Sequence, residues 1–262
     1  MNSTLLADNS EASLKKFLNT LSPVDEVGAK ARVEMLATRS IKTSSKNWAI
    51  DLAIRMVDLT TLEGADTPGK VRALCAKGVY PDPTDLSVPS VGAICVYNDM
   101  VKIARQALDA GGGKDIPVAA VSTAFPSGRA SMEVKVQDTR DAIANGASEI
   151  DMVIDRGAFL AGKLGFVFDQ IKAIKEVCGD KVHLKVILET GELVTLDNVR
   201  KASYLAMLAG ADFIKTSTGK VAPAATAPVV YVMLEAVRDY YKLTGNRIGV
   251  KPAGGIRNTK DA

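Results

Sequence analysis

The stretch Asp212-Phe213-Ile214-Lys215-Thr216-Ser217-Thr218-Gly219-Lys220 has the pattern of a short strand that leads into a glycine turn. The residues before it end at Gly210 and have the composition of a helix C-terminus. Because side chains alternate between the two faces of a strand, Lys215 lies opposite Ile214. If helices cover the Ile214 face, Lys215 points into a second interior, where burial lowers a lysine pKa and makes the amine nucleophilic. A lysine that reaches water from the strand edge is the alternative, and this stretch alone does not decide between them.

Short apolar runs of this kind recur through the chain at intervals of about 30 residues, the size of a strand-helix-strand unit. The predicted strands are 54–59, 91–97, 118–122, 149–154, 182–188, 212–217 and 247–251. Helical patterns lie between them, among them 101–110, 132–144, 166–177, 199–208 and 229–243. This rhythm predicts an α/β fold of the (β/α)8 TIM-barrel type. An open dinucleotide-binding sheet is less favoured because no GxGxxG pattern follows the first strand.

The two ends of the chain depart from this rhythm. Residues 1–50 contain helical patterns between positions 9 and 38, divided by Pro23, and are predicted to form an N-terminal helical extension. Residues 51–262 form the predicted TIM-barrel domain. Since the pattern stops shortly after the seventh strand, we expect a barrel that is truncated before its eighth strand. An N-terminal element that fills the gap is the alternative, because an open barrel leaves two sheet edges unpaired.

Composition narrows the classes of function. With 47% hydrophobic and 24% charged residues, the chain has ordinary globular character. A net charge of +3, with both signs interleaved, argues against nucleic-acid binding, and no apolar run is long enough for a membrane helix. The single histidine, His183, and three widely spaced cysteines disfavour metal sites and disulfides. We therefore expect a soluble cytoplasmic protein with no metal and no cofactor, in which lysines and carboxylates perform any catalysis.

Polar residues occur late in several predicted strands, where barrel enzymes place their active sites. They are Asp58, Cys95, Asp151, Lys185, Lys215 and Lys251. Two aspartates cannot neutralise three lysines in one interior, so we expect at least one neutral, reactive amine. A structural ion pair between Asp151 and Lys185 and a buried, unreactive Cys95 are the alternatives.

Glycine turns follow the sixth and seventh predicted strands. The first contains Thr218, Gly219 and Lys220, and the second contains Gly254 and Gly255. Barrels often bind phosphate at this place, because glycine lets backbone N–H groups approach an anion closely. Either turn alone could be structural. The two together, beside a lysine, predict a phosphate site.

Several segments carry a family resemblance from about Asp51 to the end of the chain. They are Val57-Asp58-Leu59-Thr60-Thr61-Leu62, Ala93-Ile94-Cys95-Val96-Tyr97, Glu149-Ile150-Asp151-Met152-Val153, Leu184-Lys185-Val186-Ile187-Leu188-Glu189-Thr190-Gly191-Glu192-Leu193, Phe213-Ile214-Lys215-Thr216-Ser217-Thr218-Gly219-Lys220 and Lys251-Pro252-Ala253-Gly254-Gly255. In order and spacing they resemble the deoxyribose-phosphate aldolases, which are class I aldolases. The N-terminal extension resembles the longer, eukaryotic-like branch.

The resemblance implies a lyase that reversibly cleaves 2-deoxy-D-ribose 5-phosphate to acetaldehyde and D-glyceraldehyde 3-phosphate in deoxyribonucleotide catabolism. It implies that Lys215 forms the Schiff base, that Lys251 is the second catalytic lysine and that Asp151 belongs to the proton relay. We expect the charge of Lys251 to lower the pKa of Lys215 and Lys185 to hold Asp151.

The remaining predicted site residues bind substrate. The resemblance places Gly219, Lys220, Gly254 and Gly255 at the phosphate, and the strand positions add the residues Asp58, Cys95, Lys185 and Thr218. The expected partner is a small-molecule sugar phosphate, with no nucleic acid and no membrane, and homo-oligomer formation is left open. Another Schiff-base aldolase of the same fold and a non-catalytic sugar-phosphate-binding protein are the alternative functions. The Gly-Ser-Ser type turn that follows the eighth strand in the family has no counterpart here.

Overall fold

The protein is built around one sheet of seven parallel strands that are hydrogen-bonded in chain order. The computed structural model describes residues 6, 8–258 and 261. The strands are β1 (Asp58–Thr60), β2 (Ala93–Val96), β3 (Val118–Ser122), β4 (Glu149–Val153), β5 (His183–Ile187), β6 (Phe213–Lys215) and β7 (Gly249–Lys251). The α/β class and the parallel order predicted from the sequence are confirmed, with β1 and β7 at the two edges.

Helices precede the sheet and connect its strands. They are α1 (Glu11–Leu18), α2 (Glu26–Ala37), α3 (Thr43–Arg55), α4 (Pro68–Val79), α5 (Val101–Ala110), α6 (Met132–Ala144), α7 (Arg156–Leu160), α8 (Leu164–Cys178), α9 (Leu196–Leu208) and α10 (Ala227–Thr244). Side-chain caps begin several of them; Ser131, for example, accepts a hydrogen bond from the backbone N–H of Val134 at the start of α6. Among the described helices, none combines the length and apolar character needed to cross a bilayer.

The start predicted for the first strand, at residue 54 of 54–59, was wrong. Helix α3 continues to Arg55, and β1 starts only at Asp58. A short apolar run does not distinguish a helix end from a buried strand, and here the helix extends into it. The strand predicted at 118–122 and the helices predicted at 101–110 and 132–144 are confirmed at both ends.

The two faces of the sheet bury different side chains. On the outer face, Ile94 and Ile214 belong to the large apolar core between sheet and helices. On the inner face, Cys95 packs in a small cluster with Leu62, Ala119 and Val121, to which Tyr97 and Phe125 add their rings. The alternation predicted for the sixth strand is confirmed, since Ile214 faces the helices and Lys215 is turned inward.

The sheet curls until its two edges approach each other on the inner side. Lys251, the last residue of β7, donates a hydrogen bond of 2.7 Å to the carbonyl of Met56, just before β1. Its amine also lies 2.6 Å from Oδ1 of Asp58, the first residue of β1. Side chains from the first and seventh strands therefore meet in one interior.

Candidate active site

Lys215 is buried at the end of β6 and forms an ion pair with Asp151 of β4. Its Nζ lies 2.5 Å from Oδ2 of Asp151, and the side chains are 7% and 0% exposed. A lysine that reaches water from the strand edge, the alternative considered from the sequence, is therefore wrong. The buried amine has a carboxylate within proton-transfer distance.

Lys185 lies at the centre of the charged interior. Its Nζ is 2.9 Å from Asp58, 2.5 Å from Glu149 and 3.1 Å from the Oδ1 atom of Asp151. The strand register produces the last contact, because Asp151 and Lys185 are paired residues of β4 and β5. Lys185 thus holds the oxygen of Asp151 that Lys215 does not use, as the sequence predicted.

Lys251 is the third lysine of the cluster, and it contacts residues at the opposite edge of the sheet. It is register-paired with Lys215 on the neighbouring strand. Its amine nevertheless bonds to Asp58 at 2.6 Å and to the Met56 carbonyl. Asp58 therefore bridges Lys185 and Lys251, and joins strands β1, β5 and β7 through charge.

Glu149 is the residue that sequence reasoning missed. It lies two positions before Asp151 on β4, on the same face, and its carboxylate contacts Lys185. Period-two spacing from Asp151 was the signal that could have found it. With Glu149 included, three carboxylates face three lysines, so the excess of positive charge inferred from the sequence does not exist.

This balance corrects the expected state of the nucleophile. Burial lowers the pKa of Lys215, but the Asp151 carboxylate raises it, and the net direction is upward. Burial alone would raise the pKa of Asp151, whereas Lys185 and Lys215 together hold it below its usual range. The pair with Asp151 therefore favours the ammonium form of Lys215, and the net lowering of its pKa inferred from the sequence was wrong; the separate effect of the Lys251 charge stays a prediction.

Cys95 lies close to this network but keeps its proton. Its Sγ is 4.0 Å from Oδ2 of Asp151, and the residue is fully buried. Burial, followed by the negative charge of Asp151, raises the pKa of the thiol to about 12. Cys95 is thus a small buried side chain that lines the interior.

Within the described part of the chain, no group of three or more histidine, cysteine, aspartate or glutamate side chains is arranged to hold a metal ion.

The two glycine turns predicted to bind phosphate lie side by side. Gly219, Gly254 and Gly255 all have positive φ angles, of 78°, 81° and 85°. A Cβ atom on Gly254 would come within 2.6 Å of the Ala224 Cβ and 3.2 Å of the Gly219 Cα. Glycine is therefore required at Gly254 both by backbone conformation and by space.

Lys220 follows Gly219 and points to the rim of the site. Its Nζ lies 2.8 Å from the carboxylate of Glu63, a residue of the segment after β1. The lysine side chain is 28% exposed and that of Glu63 is 64% exposed. Water screens such a pair, and an incoming anion could displace the carboxylate at small cost.

Comparison with known proteins places this arrangement in a family. Residues 52–262 match the model described as "DeoC/LacD family aldolase". The human deoxyribose-phosphate aldolase is 45% identical over 242 residues, which cover 88% of this chain and 75% of the human protein. The bovine deoxyribose-phosphate aldolase is 44% identical, with 87% and 74% covered. This chain belongs to the DeoC/LacD aldolase family.

A solved structure agrees at the level of the fold. A Coccidioides immitis protein described as a candidate deoxyribose-phosphate aldolase superposes with a TM-score of 0.71 at 29% identity. The match covers 92% of this chain and 90% of that one.

Proposed function

We propose that this protein is a class I aldolase that reversibly cleaves 2-deoxy-D-ribose 5-phosphate to acetaldehyde and D-glyceraldehyde 3-phosphate. One observation carries the proposal: the Lys215 amine is buried in the sheet interior, 2.5 Å from a carboxylate that a second lysine holds from its other side. Membership of the DeoC/LacD family and the identity to the human enzyme give the substrate class.

The Lys215–Asp151 pair supplies both forms of the amine. Transfer of a proton from the ammonium to Asp151 yields the neutral amine, which attacks the C1 aldehyde and forms the carbon–nitrogen bond. The carbinolamine then loses water, for which the protonated Asp151 returns its proton to the leaving hydroxyl. The product is an iminium ion on Lys215, with Asp151 again ionised.

Bond cleavage uses the iminium ion as an electron sink. A base removes the proton of the C3 hydroxyl, the C2–C3 bond breaks, and its electron pair forms an enamine on the nitrogen. D-glyceraldehyde 3-phosphate leaves as an aldehyde. Protonation of the enamine at C2 and hydrolysis of the imine then release acetaldehyde. We assign the base to Asp151, acting directly or through one water, because it is the carboxylate in contact with Lys215.

The other charged residues hold this pair and the substrate in place. Lys185 fixes the second oxygen of Asp151. Lys251, anchored by Asp58, supplies the second catalytic cation, and Cys95 completes the wall beside Asp151. The neighbouring turns with Thr218, Gly219, Lys220, Gly254 and Gly255 bind the phosphate, where Lys220 exchanges Glu63 for the anion.

We further infer that the seven strands of residues 51–262 belong to a barrel of the (β/α)8 type, preceded by a helical extension in residues 1–50. The contact of Lys251 with Met56 and Asp58 supports a closed arrangement, in which an eighth strand would lie between β7 and β1. The three free, buried cysteines are consistent with a reducing, cytoplasmic location. Homo-oligomer formation remains a prediction that sedimentation would test.

Reductive trapping tests the nucleophile. Incubation with acetaldehyde and borohydride is expected to add one ethyl group to the wild-type chain, at Lys215, and none to Lys215→Ala. Lys185→Ala, which leaves the Lys215 amine present, is the matched variant and is expected to retain trapping at a reduced rate. Ethylation of Lys215→Ala to the wild-type level would contradict the assignment. Acetaldehyde release from 2-deoxy-D-ribose 5-phosphate separates this activity from that of other Schiff-base aldolases and from mere sugar-phosphate binding.

A further inference from the structure

Glu189 is a fully buried carboxylate that the mechanism above does not use. It lies two residues after the end of β5, has 0% exposure, and adopts left-handed backbone angles of φ 52° and ψ 60°. Left-handed conformations are uncommon for residues other than glycine, asparagine and aspartate. Two unfavourable features, a buried charge and a left-handed backbone, therefore coincide at one residue next to the proposed phosphate site.

Among the described residues, the carboxylate of Glu189 hydrogen-bonds to Thr218 of the first glycine turn. It accepts a hydrogen bond from the Thr218 hydroxyl and lies 3.3 Å, at each of its oxygens, from the Thr218 backbone nitrogen. The Thr218 hydroxyl in turn accepts from the backbone N–H of Lys220 at 3.1 Å. A continuous chain of hydrogen bonds thus runs from Glu189 through Thr218 to the backbone of Lys220, on both sides of Gly219.

The second glycine turn is fixed from the other side by a similar device. The Thr216 hydroxyl accepts from the backbone N–H of Ala253 at 2.9 Å and donates to its carbonyl at 3.1 Å. Thr216 also accepts from the N–H of Thr190, beside Glu189, through its own carbonyl. The segment after β6 is therefore held between the loops that follow β5 and β7.

Arg156 forms its ion pair with another carboxylate and not with Glu189. The Arg156 guanidinium makes its ion pair with Glu192, at 2.5 Å, and donates to the carbonyls of Pro126 and Ser127. Burial raises the pKa of Glu189 above its usual range, and the hydrogen bonds from Thr218, followed by the more distant charge of Arg156, lower it only in part. Thr218 is thus the partner that offsets the cost of burying this carboxyl group.

We propose that Glu189 is a positioning residue for the phosphate end of the substrate, which fixes the Thr218–Gly219–Lys220 turn in the conformation that receives the anion. This inference rests on the proposed aldolase function. Correct placement of the backbone donors of this turn determines how strongly the phosphate binds. Loss of Glu189 frees the turn without touching the Lys215–Asp151 pair.

The test compares two substrates that differ only in the phosphate, 2-deoxy-D-ribose 5-phosphate and 2-deoxy-D-ribose. In Glu189→Gln the ratio of their kcat/KM values is expected to fall about 10- to 100-fold, the range for loss of one charge-assisted hydrogen bond. Borohydride trapping of acetaldehyde is expected to match that of the wild type. Glu192→Gln, a carboxylate of the same loop that contacts Arg156 instead, is the matched control and is expected to keep the ratio.

A ratio unchanged in Glu189→Gln, or an equal loss for both substrates, would overturn the inference. If Glu189→Gln does not fold, Thr218→Val and Thr218→Ser test the same contact from its other end. The valine lacks the hydroxyl, so the ratio of the two kcat/KM values is expected to fall in Thr218→Val, whereas Thr218→Ser keeps the hydroxyl and is expected to keep the wild-type ratio. A wild-type ratio in Thr218→Val would equally overturn the inference. Failure of wild-type trapping would instead contradict the aldolase function itself, so the two failures are distinguishable.

Discussion

At the scale of single residues, the chemistry of this protein depends on how three carboxylates divide their charge among three lysines. Asp58, Glu149 and Asp151 all reach Lys185, but only Asp151 reaches Lys215. Removal of any one of these charged side chains therefore changes how strongly the remaining carboxylates and lysines interact. The state of the Lys215 amine depends on contacts that it does not itself make.

Glu149→Gln is expected to lower the pKa of Lys215. Without Glu149, Lys185 interacts more strongly with Asp151, so Asp151 stabilises the Lys215 ammonium less. Since the neutral amine appears as the pH rises through the Lys215 pKa, the pH profile of acetaldehyde trapping is expected to shift to lower pH. Trapping rates between neutral and alkaline pH measure the shift. Glu11→Gln, which alters an exposed helix pair, serves as the control, and a shift of the Glu149 variant to higher pH would contradict the charge-sharing scheme.

Lys251→Leu is expected to raise the pKa of Lys215 and to reduce activity near neutral pH. Asp58 would then interact with Lys185 alone, which leaves Asp151 freer to hold the Lys215 ammonium. Loss of the positive charge on the neighbouring strand acts in the same direction. The pH dependence of kcat/KM gives the shift, and Lys251→Arg is expected to recover part of the wild-type profile. A profile identical to that of the wild type would show that Lys251 affects binding or structure only.

At the scale of elements, helices α6 and α8 enclose a second buried lysine, outside the active site. Lys135 has 0% exposure and donates a hydrogen bond of 2.9 Å to Gln170, a neutral side chain. Burial lowers its pKa, and the charge of Asp155 offsets this only in part. In contrast to Lys215, this amine forms no ion pair with any carboxylate in the described part of the chain. Its charged form therefore opposes folding.

The double variant Lys135→Met with Gln170→Leu is expected to be at least as stable as the wild type at neutral pH. The double substitution removes both polar partners, so neither is left buried without a hydrogen bond. Lys135→Met alone leaves the buried Gln170 side chain without its partner, at a cost of about 1–3 kcal/mol. Urea unfolding measures the free energies.

The pH dependence provides an independent check on the same site. The unfolded chain keeps the Lys135 proton up to its ordinary pKa of 10.5, which lies above the lowered pKa in the folded state. Wild-type stability is therefore expected to rise with pH between these two pKa values, and the double variant is expected to lose this contribution. A double variant with the same slope as the wild type would assign the slope to other groups.

At the scale of the whole molecule, Asp58 links both edges of the sheet. It bonds to Lys251 at the end of β7 and to Lys185 in the middle of the sheet, with only 8% of its own side chain exposed. The curled sheet thus has an electrostatic connection where no strand pairing exists between β1 and β7 in the described part of the chain.

Asp58→Asn is expected to lower the free energy of unfolding by about 3–5 kcal/mol, because it removes one partner of buried ion pairs and leaves two lysines undercompensated. Because Lys251 is partly exposed, we expect a loss of stability near the lower end of this range. Thermal or urea unfolding measures it. Glu26→Gln, whose partner Lys30 is exposed, is expected to change stability by less than about 1 kcal/mol. Equal effects of the two substitutions would show that Asp58 does not connect the sheet edges energetically.

The sequence by itself determined the parallel α/β class, the position of Lys215 on the face opposite Ile214 and the neighbourhood of Asp151 and Lys185. These follow from local rules: period-two alternation separates the Ile214 face from the Lys215 face, and the strand-helix rhythm aligns the ends of consecutive strands. The same rules placed the first strand too early, because an apolar run such as that near Ile54 satisfies a helix end and a strand start equally well.

Only the tertiary structure decided the charge state of the site and the contacts across the sheet. Glu149 joins the network, and Lys251 contacts Asp58 across the gap between β7 and β1, through distances that no sequence spacing encodes. A pKa depends on the sum of burial and all nearby charges, and the close contact with Asp151 outweighs burial and raises the pKa of Lys215, against the direction inferred from the sequence. Glu189 lay unnoticed for the same reason: its bond to Thr218 joins residues from two different strand ends, which come together only when the sheet has formed.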